Sequence, residues 1–168
     1  LESIYQTDFD ITYNVTVASG TNGFGTGNKY YITSITDDPS PTVALRKGRT
    51  YTFDQSDNSN STHPLRFSTT PNGAGGGGVE YTNGVTVNGT PGTAGAYTRI
   101  TVAVDAPTLH YYCTAHSGMG GQANTDGGES GYIPVENTNR ILYTPFNNKD
   151  TLTVGNFTGT GTISVANK

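Results

Sequence analysis

Tryptophan is absent from this sequence of 168 residues, and cysteine and methionine occur once each. A single cysteine cannot form an internal disulfide, so a disulfide-stapled scaffold is excluded and the lone thiol asks for a chemical explanation. Charge is also scarce: charged residues make up 13%, with 9 basic against 13 acidic side chains and a net charge of −4. Without a basic stripe nothing neutralises phosphates or an anionic lipid surface, so neither a nucleic-acid nor a membrane partner is expected. No apolar run approaches the roughly 20 residues of a membrane-spanning helix. The opening Leu1-Glu2-Ser3-Ile4-Tyr5 reads neither as an initiator methionine nor as a signal peptide, and a mature product or a fragment of something longer is expected. Low charge does not imply disorder here, because 11 Tyr and 6 Phe are spread through short β-rich runs.

What is present is a pattern of strands and turns. Ile11-Thr12-Tyr13-Asn14-Val15-Thr16-Val17 and Thr98-Arg99-Ile100-Thr101-Val102-Ala103-Val104 alternate apolar with polar residues, the period of a half-buried strand. Further short runs lie at 29–32, 42–45, 50–53, 65–68, 85–87 and 109–113, with candidates at 132–135, 140–143, 151–154 and 162–165. No stretch has helical spacing. Lys47-Gly48, Asn83-Gly84, Asn88-Gly89 and Pro91-Gly92 mark tight turns between the runs. Residues 20–28 and 71–78, the latter with four consecutive glycines at 75–78, are too glycine-rich for strand interior and are expected to be loops. The polar segment 120–131 is the expected domain boundary. The organisation predicted is an N-terminal segment 1–10, an all-β sandwich or barrel over 11–123, and a β-rich C-terminal extension over 124–168.

The sole cysteine and the sole methionine stand together in Leu109-His110-Tyr111-Tyr112-Cys113-Thr114-Ala115-His116-Ser117-Gly118-Met119. Random placement would give this Cys-x2-His-x2-Met spacing with a probability on the order of 10⁻⁴. A thiolate, an imidazole and a thioether from one short loop suit copper and, with a second imidazole, make a His₂Cys trigonal site with a weak axial Met. His63 is the natural second imidazole. In Thr62-His63-Pro64-Leu65-Arg66-Phe67 it shares a strand face with Leu65 and Phe67, so it should point inward. By the same parity Cys113, in line with Leu109 and Tyr111, points inward, whereas His110 points outward and is expected to be an exposed strand residue.

Taken singly these residues have ordinary readings: a buried Cys as a small hydrophobe, a Met as gap filler, His63 as a hydrogen-bonded core histidine. Their joint spacing favours ligation. One thiolate, two imidazoles and a thioether make a poor structural zinc set beside Cys₄ or Cys₂His₂. The glycine run at 75–78 lacks the Gly-Lys-Ser/Thr of a phosphate cradle, and Asp37-Asp38 and Asp54/Asp57 have no second catalytic feature beside them. The Asn-x-Ser/Thr matches at Asn14, Asn60, Asn88 and Asn156 are expected by chance in so Asn/Thr-rich a chain.

With these residues in view, the pattern resembles the cupredoxins, the β-sandwich blue-copper proteins that include plastocyanin, azurin and amicyanin, and the loop spacing is nearest amicyanin. The resemblance covers residues 11–123 and implies a Greek-key cupredoxin-like β-sandwich holding one copper ion, Cu(I)/Cu(II), with His63, Cys113, His116 and Met119 as its ligands. The wording around His63 and across 88–98 also resembles cupredoxin-like domains of marine phage virion proteins, particularly those of cyanophages. Pro64 departs from the family, which places Asn or a similar polar residue there to tie the two ligand loops; Pro has no backbone N–H to offer. His116 is flanked by Ala115, Ser117 and Gly118 rather than by an apolar docking patch.

Multicopper oxidase or nitrite reductase chemistry needs more histidines than His110 alone can add, so no enzyme activity is expected. The favoured expectation is a copper-binding module of a virion or other extracellular surface protein, with the extension mediating self-assembly or contact with other virion or surface proteins. The alternative is a soluble, periplasmic electron carrier that meets a redox partner near His116. A third reading is copper sequestration or delivery.

Overall fold

The alternating segment 11–17 opens strand β1, Ile11–Asn22, in the computed structural model, which describes residues 10–125. The remaining strands are β2 Gly25–Ile32, β3 Val43–Ala44, β4 Thr50–Asp54, β5 Leu65–Ser68, β6 Glu80–Tyr81, β7 Val85–Asn88, β8 Tyr97–Thr101, β9 Leu109–Cys113 and β10 Gly121–Asn124. Among the described residues there is no α-helix, only 3₁₀ turns at Asn58–Asn60 and Gly73–Gly76. The N-terminal segment before Asp10, the expected strands from 132 onward and the extension beyond Thr125 lie outside the described residues.

The strands form two five-stranded mixed sheets, ordered β2-β1-β4-β8-β7 and β3-β10-β9-β5-β6. In the first, β1 runs parallel to β4 over Ile11–Asn14 and then turns to pair antiparallel with β2 from Val15 onward. In the second, β9 is central, antiparallel to β5 through Leu65↔Cys113 and Phe67↔Tyr111 and to β10 through Gly121↔Tyr111. The inward faces of both sheets meet in one core. Val15, Tyr30, Ile32, Tyr51, Phe53 and Ile100 come from the first sheet, and Val43, Leu65, Phe67, Leu109, Tyr111, Cys113 and Ala123 from the second. Phe53 and Phe67 bridge the layers edge to face, their rings 5.3 Å apart. The all-β, sandwich-like architecture expected from the sequence is therefore observed.

Two expectations are corrected. Residues 20–28 are not a loop but the outer half of the β1–β2 hairpin, paired through Gly20↔Gly27, Thr21↔Thr26 and Asn22↔Gly25. A Cβ at Gly20 would lie 2.5 Å from the Tyr31 hydroxyl, Gly25 and Gly27 hold positive φ, and the pairing overrides a propensity that is strongly context-dependent in sheets. Segment 120–131 does not begin as a boundary either. Its first residues form β10, paired on both sides, and the Leu45 N–H donates to the Asn124 carbonyl at 2.7 Å. The four expected turn glycines, Gly48, Gly84, Gly89 and Gly92, all adopt positive φ. Strand β8 ends at Thr101, before its alternating pattern does, and Val104 is exposed.

Candidate metal centre

Two strand ends and a loop meet at one end of the sandwich. His63 lies two residues before β5, Cys113 is the last residue of β9, and the chain then turns outward through His116 before Met119 re-enters the core. The parity expected from the sequence holds. His63 and Cys113 are buried beside the inward Leu65, Phe67 and Tyr111, while His110 is half-buried on the opposite face. His110 is not part of the cluster. His63, Cys113 and His116 each offer a donor atom, all within 4.8 Å of one another.

Cys113 Sγ lies 3.8 Å from His63 Nδ1 and 3.8 Å from His116 Nδ1, and the two imidazole rings are 4.6 Å apart. With metal–sulfur and metal–nitrogen bonds of about 2.3 and about 2.0–2.1 Å, trigonal ligands stand about 3.8 Å apart and tetrahedral ones about 3.6 Å. The donor set is therefore spaced to hold one metal ion. Burial, and secondarily the nearby His116, depress the pKa of His63, which keeps its imidazole neutral and its lone pair free. His63 and Cys113 are shielded from solvent, whereas His116 is exposed. Met119 is buried in the core cluster together with Cys113.

The segment around His63 is held by polar groups that the sequence reading did not single out. The His63 carbonyl accepts from Tyr30 Oη at 2.9 Å and from Gln55 Nε2 at 2.8 Å. Gln55 Oε1 in turn accepts from the Leu65 N–H at 3.0 Å, so one buried side chain spans Pro64. Asn60, also buried, accepts from Gln55 Nε2 and donates to the Val15 carbonyl at 2.7 Å. The missing N–H of Pro64 does not untie the ligand segments. Its carbonyl accepts from the Thr114 N–H at 3.1 Å, which joins the residue after His63 to the residue after Cys113. Gln55 had a sequence signal: it follows Tyr51 and Phe53 at inward parity, a polar residue on a core-facing register.

Nε2 of His63 lies 3.5 Å from the Asn28 side-chain amide nitrogen. An imidazole that ligates through Nδ1 carries its proton on Nε2, and Asn28, with its amide turned, can offer its oxygen to that N–H. Asn28 comes from β2, which makes the hairpin a flank of the centre. Comparison with protein-family models and with curated proteins gives no match for this chain.

Proposed function

We propose that this domain is a copper-binding, cupredoxin-like module with a mononuclear type 1-like site formed by His63, Cys113, His116 and Met119. The observation that carries the reading is the equal 3.8 Å spacing of Cys113 Sγ from two imidazole Nδ1 atoms at a buried strand end. One thiolate with two imidazoles is a set that copper favours and that closed structural zinc sites rarely use. Bound copper would supply one-electron redox chemistry. The chain's part is to desolvate the thiol, keep the His63 imidazole neutral by burial and restrict access to the His116 edge. The wider setting, a virion or other extracellular surface protein, is supported by the polar, weakly charged composition and by the wording around residues 62–67 and 88–98.

A second reading, electron transfer, is favoured by one feature: His116 is exposed while His63 and Cys113 are buried. An imidazole edge at the surface gives an electron a short exit. Titration of the purified protein with Cu(II) tests the shared site. An intense thiolate-to-copper absorption band saturating at one equivalent, and lost in Cys113→Ser, is expected. Absence of that band in the unaltered protein removes the copper reading. Reversible voltammetry of the copper-loaded protein then separates a carrier from a module that only binds.

A further inference from the structure

The backbone from Gly118 to Gly120, around Met119, is held from two directions by asparagines in the two glycine-rich segments. Asn72 Oδ1 accepts from the Gly118 N–H at 2.6 Å. Asn22 Nδ2 donates to the Gly118 carbonyl at 2.9 Å and reaches the Gly120 carbonyl at 3.4 Å. Asn22 also donates to Ser40 Oγ at 2.9 Å, and that hydroxyl donates to the Met119 carbonyl at 3.0 Å, which takes a further bond from the Tyr30 N–H. The Asn22 amide is itself fixed, since its Oδ1 accepts from the Phe24 N–H at 2.9 Å.

Both supporting segments are shaped for this approach. Asn72 precedes the 3₁₀ turn Gly73–Gly76 with φ +61, and its side chain makes no capping bond to that turn, leaving it for Gly118. A Cβ at Gly75 would lie 2.6 Å from Ser117 Oγ, and one at Gly73 would lie 2.4 Å from the Tyr112 ring. The glycines thus let this segment lie flat on β9 and the ligand loop. From the other side, a Cβ at Gly118 would lie 2.9 Å from Phe24 Cβ, and Gly118 holds φ +76. Side chains at Gly73 or Gly75 would lift the first segment, and one at Gly118 would push the hairpin tip away.

We infer that Asn22 and Asn72 are positioning residues of the centre: by holding the N–H and the carbonyl of Gly118, they determine where Met119 presents its thioether to the Cys113, His63 and His116 donors. The inference rests on the reading of Met119 as the fourth donor. Weak axial ligation is the contact most easily changed by a small backbone shift, because little bond energy of its own restores it.

Because the chain has a single methionine, one ¹³C-methyl resonance reports Met119 with or without metal. In the metal-free protein, Asn72→Ala should speed exchange of the Gly118 amide roughly tenfold, the value of one lost hydrogen bond, and displace the Met119 methyl signal. Asn22→Ala should displace the signal as well. Asn72→Asp keeps an acceptor oxygen and should restore the unaltered spectrum, whereas Asn22→Asp has no donor and should not. Should either alanine variant fail to fold, the contrast between the two aspartates decides. One equivalent of Cu(I), which is diamagnetic, should shift the methyl in the unaltered protein and in Asn72→Asp, and shift it less in Asn72→Ala. A methyl resonance unmoved by every variant, metal-free and loaded, overturns the clamp. A methyl that responds to the variants but never to Cu(I) leaves the clamp standing and removes Met119 as a copper ligand.

Discussion

His63 and His110 both contribute acid sensitivity to the metal-free protein. The His63 pKa is lowered from 6.5, by burial first and by His116 second, and burial lowers that of His110 too. Unfolded, both side chains take a proton as pH falls through 6.5; folded, they resist until lower pH. The unfolded state therefore binds more protons in that window, so stability falls as pH drops below 6.5 and is regained above it. Thermal unfolding of the metal-free protein should show a midpoint that declines through this window, with a shallower decline in His63→Gln; a midpoint independent of pH there would contradict the assignment. Protons and a metal compete for the same His63 lone pair, so metal affinity should weaken in the same direction. The four ligand candidates were legible at this scale because rarity and spacing are properties of the sequence, and strand parity assigns an inward or outward face without coordinates. Asn60, Asn22 and Asn72 were not, because a polar residue in a polar loop reveals its partner only when distant loops meet; Gln55 showed its inward register but not the partners it would hold.

The strands themselves were readable where alternation is strong, in β1, β4, β5, β8 and β9. They were missed where glycine replaces side chains for reasons of space. Strand β10 is the clearest case. A Cβ on Gly120 would lie 1.8 Å from the Tyr111 carbonyl oxygen, and one on Gly121 2.5 Å from that of Ser40. The chain must therefore be glycine to leave the ligand loop and enter the sheet between β9 and β3. Gly120→Ala should destabilise the fold by about 3 kcal/mol, the upper end of overpacking costs, since backbone on both sides cannot yield. Chemical denaturation with unchanged slope checks this, and a loss under about 0.5 kcal/mol would mean that β10 can shift. In the outer β1–β2 hairpin only Gly20 is crowded, and Gly25 and Gly27 are instead required by their positive φ. Glycine depletion in strands is a statement about average packing, and an edge hairpin whose tip must touch Gly118 is not average.

Across the whole domain, tyrosine takes the place of the missing tryptophan. Tyr30, Tyr51 and Tyr111 are buried in the core, and each hydroxyl has a partner: Tyr30 donates to the His63 carbonyl, Tyr111 donates to that of Pro41 at 2.7 Å, and Tyr51 accepts from the Arg46 N–H at 2.8 Å. Burial pushes the Tyr13 hydroxyl up to about 12, with Tyr51 adding to the shift. Tyr30, Tyr111 and Tyr112 are raised as well, chiefly by burial. The unfolded chain releases these protons near 10 while the folded one keeps them, so stability present below 10 is lost as pH rises toward 12. An ultraviolet titration should show this group ionising only as the protein unfolds at high pH. Smooth ionisation of every tyrosine near 10 with the fold intact would refute the buried assignment.

Composition, alternation and the Cys113-His116-Met119 spacing were sufficient for an all-β chain with an inward His63 and an inward Cys113, because periodicity and side-chain direction are local consequences of backbone geometry. Tertiary structure alone decided that the two imidazoles stand equally far from one thiol and that Gln55 spans the Pro64 gap. It also decided that two glycine-rich segments, one a hairpin and one a 3₁₀ turn, grip the Gly118 backbone. Those outcomes depend on hydrogen bonds between residues far apart in sequence and on the steric room that glycine leaves, and neither is encoded in any short window of the chain.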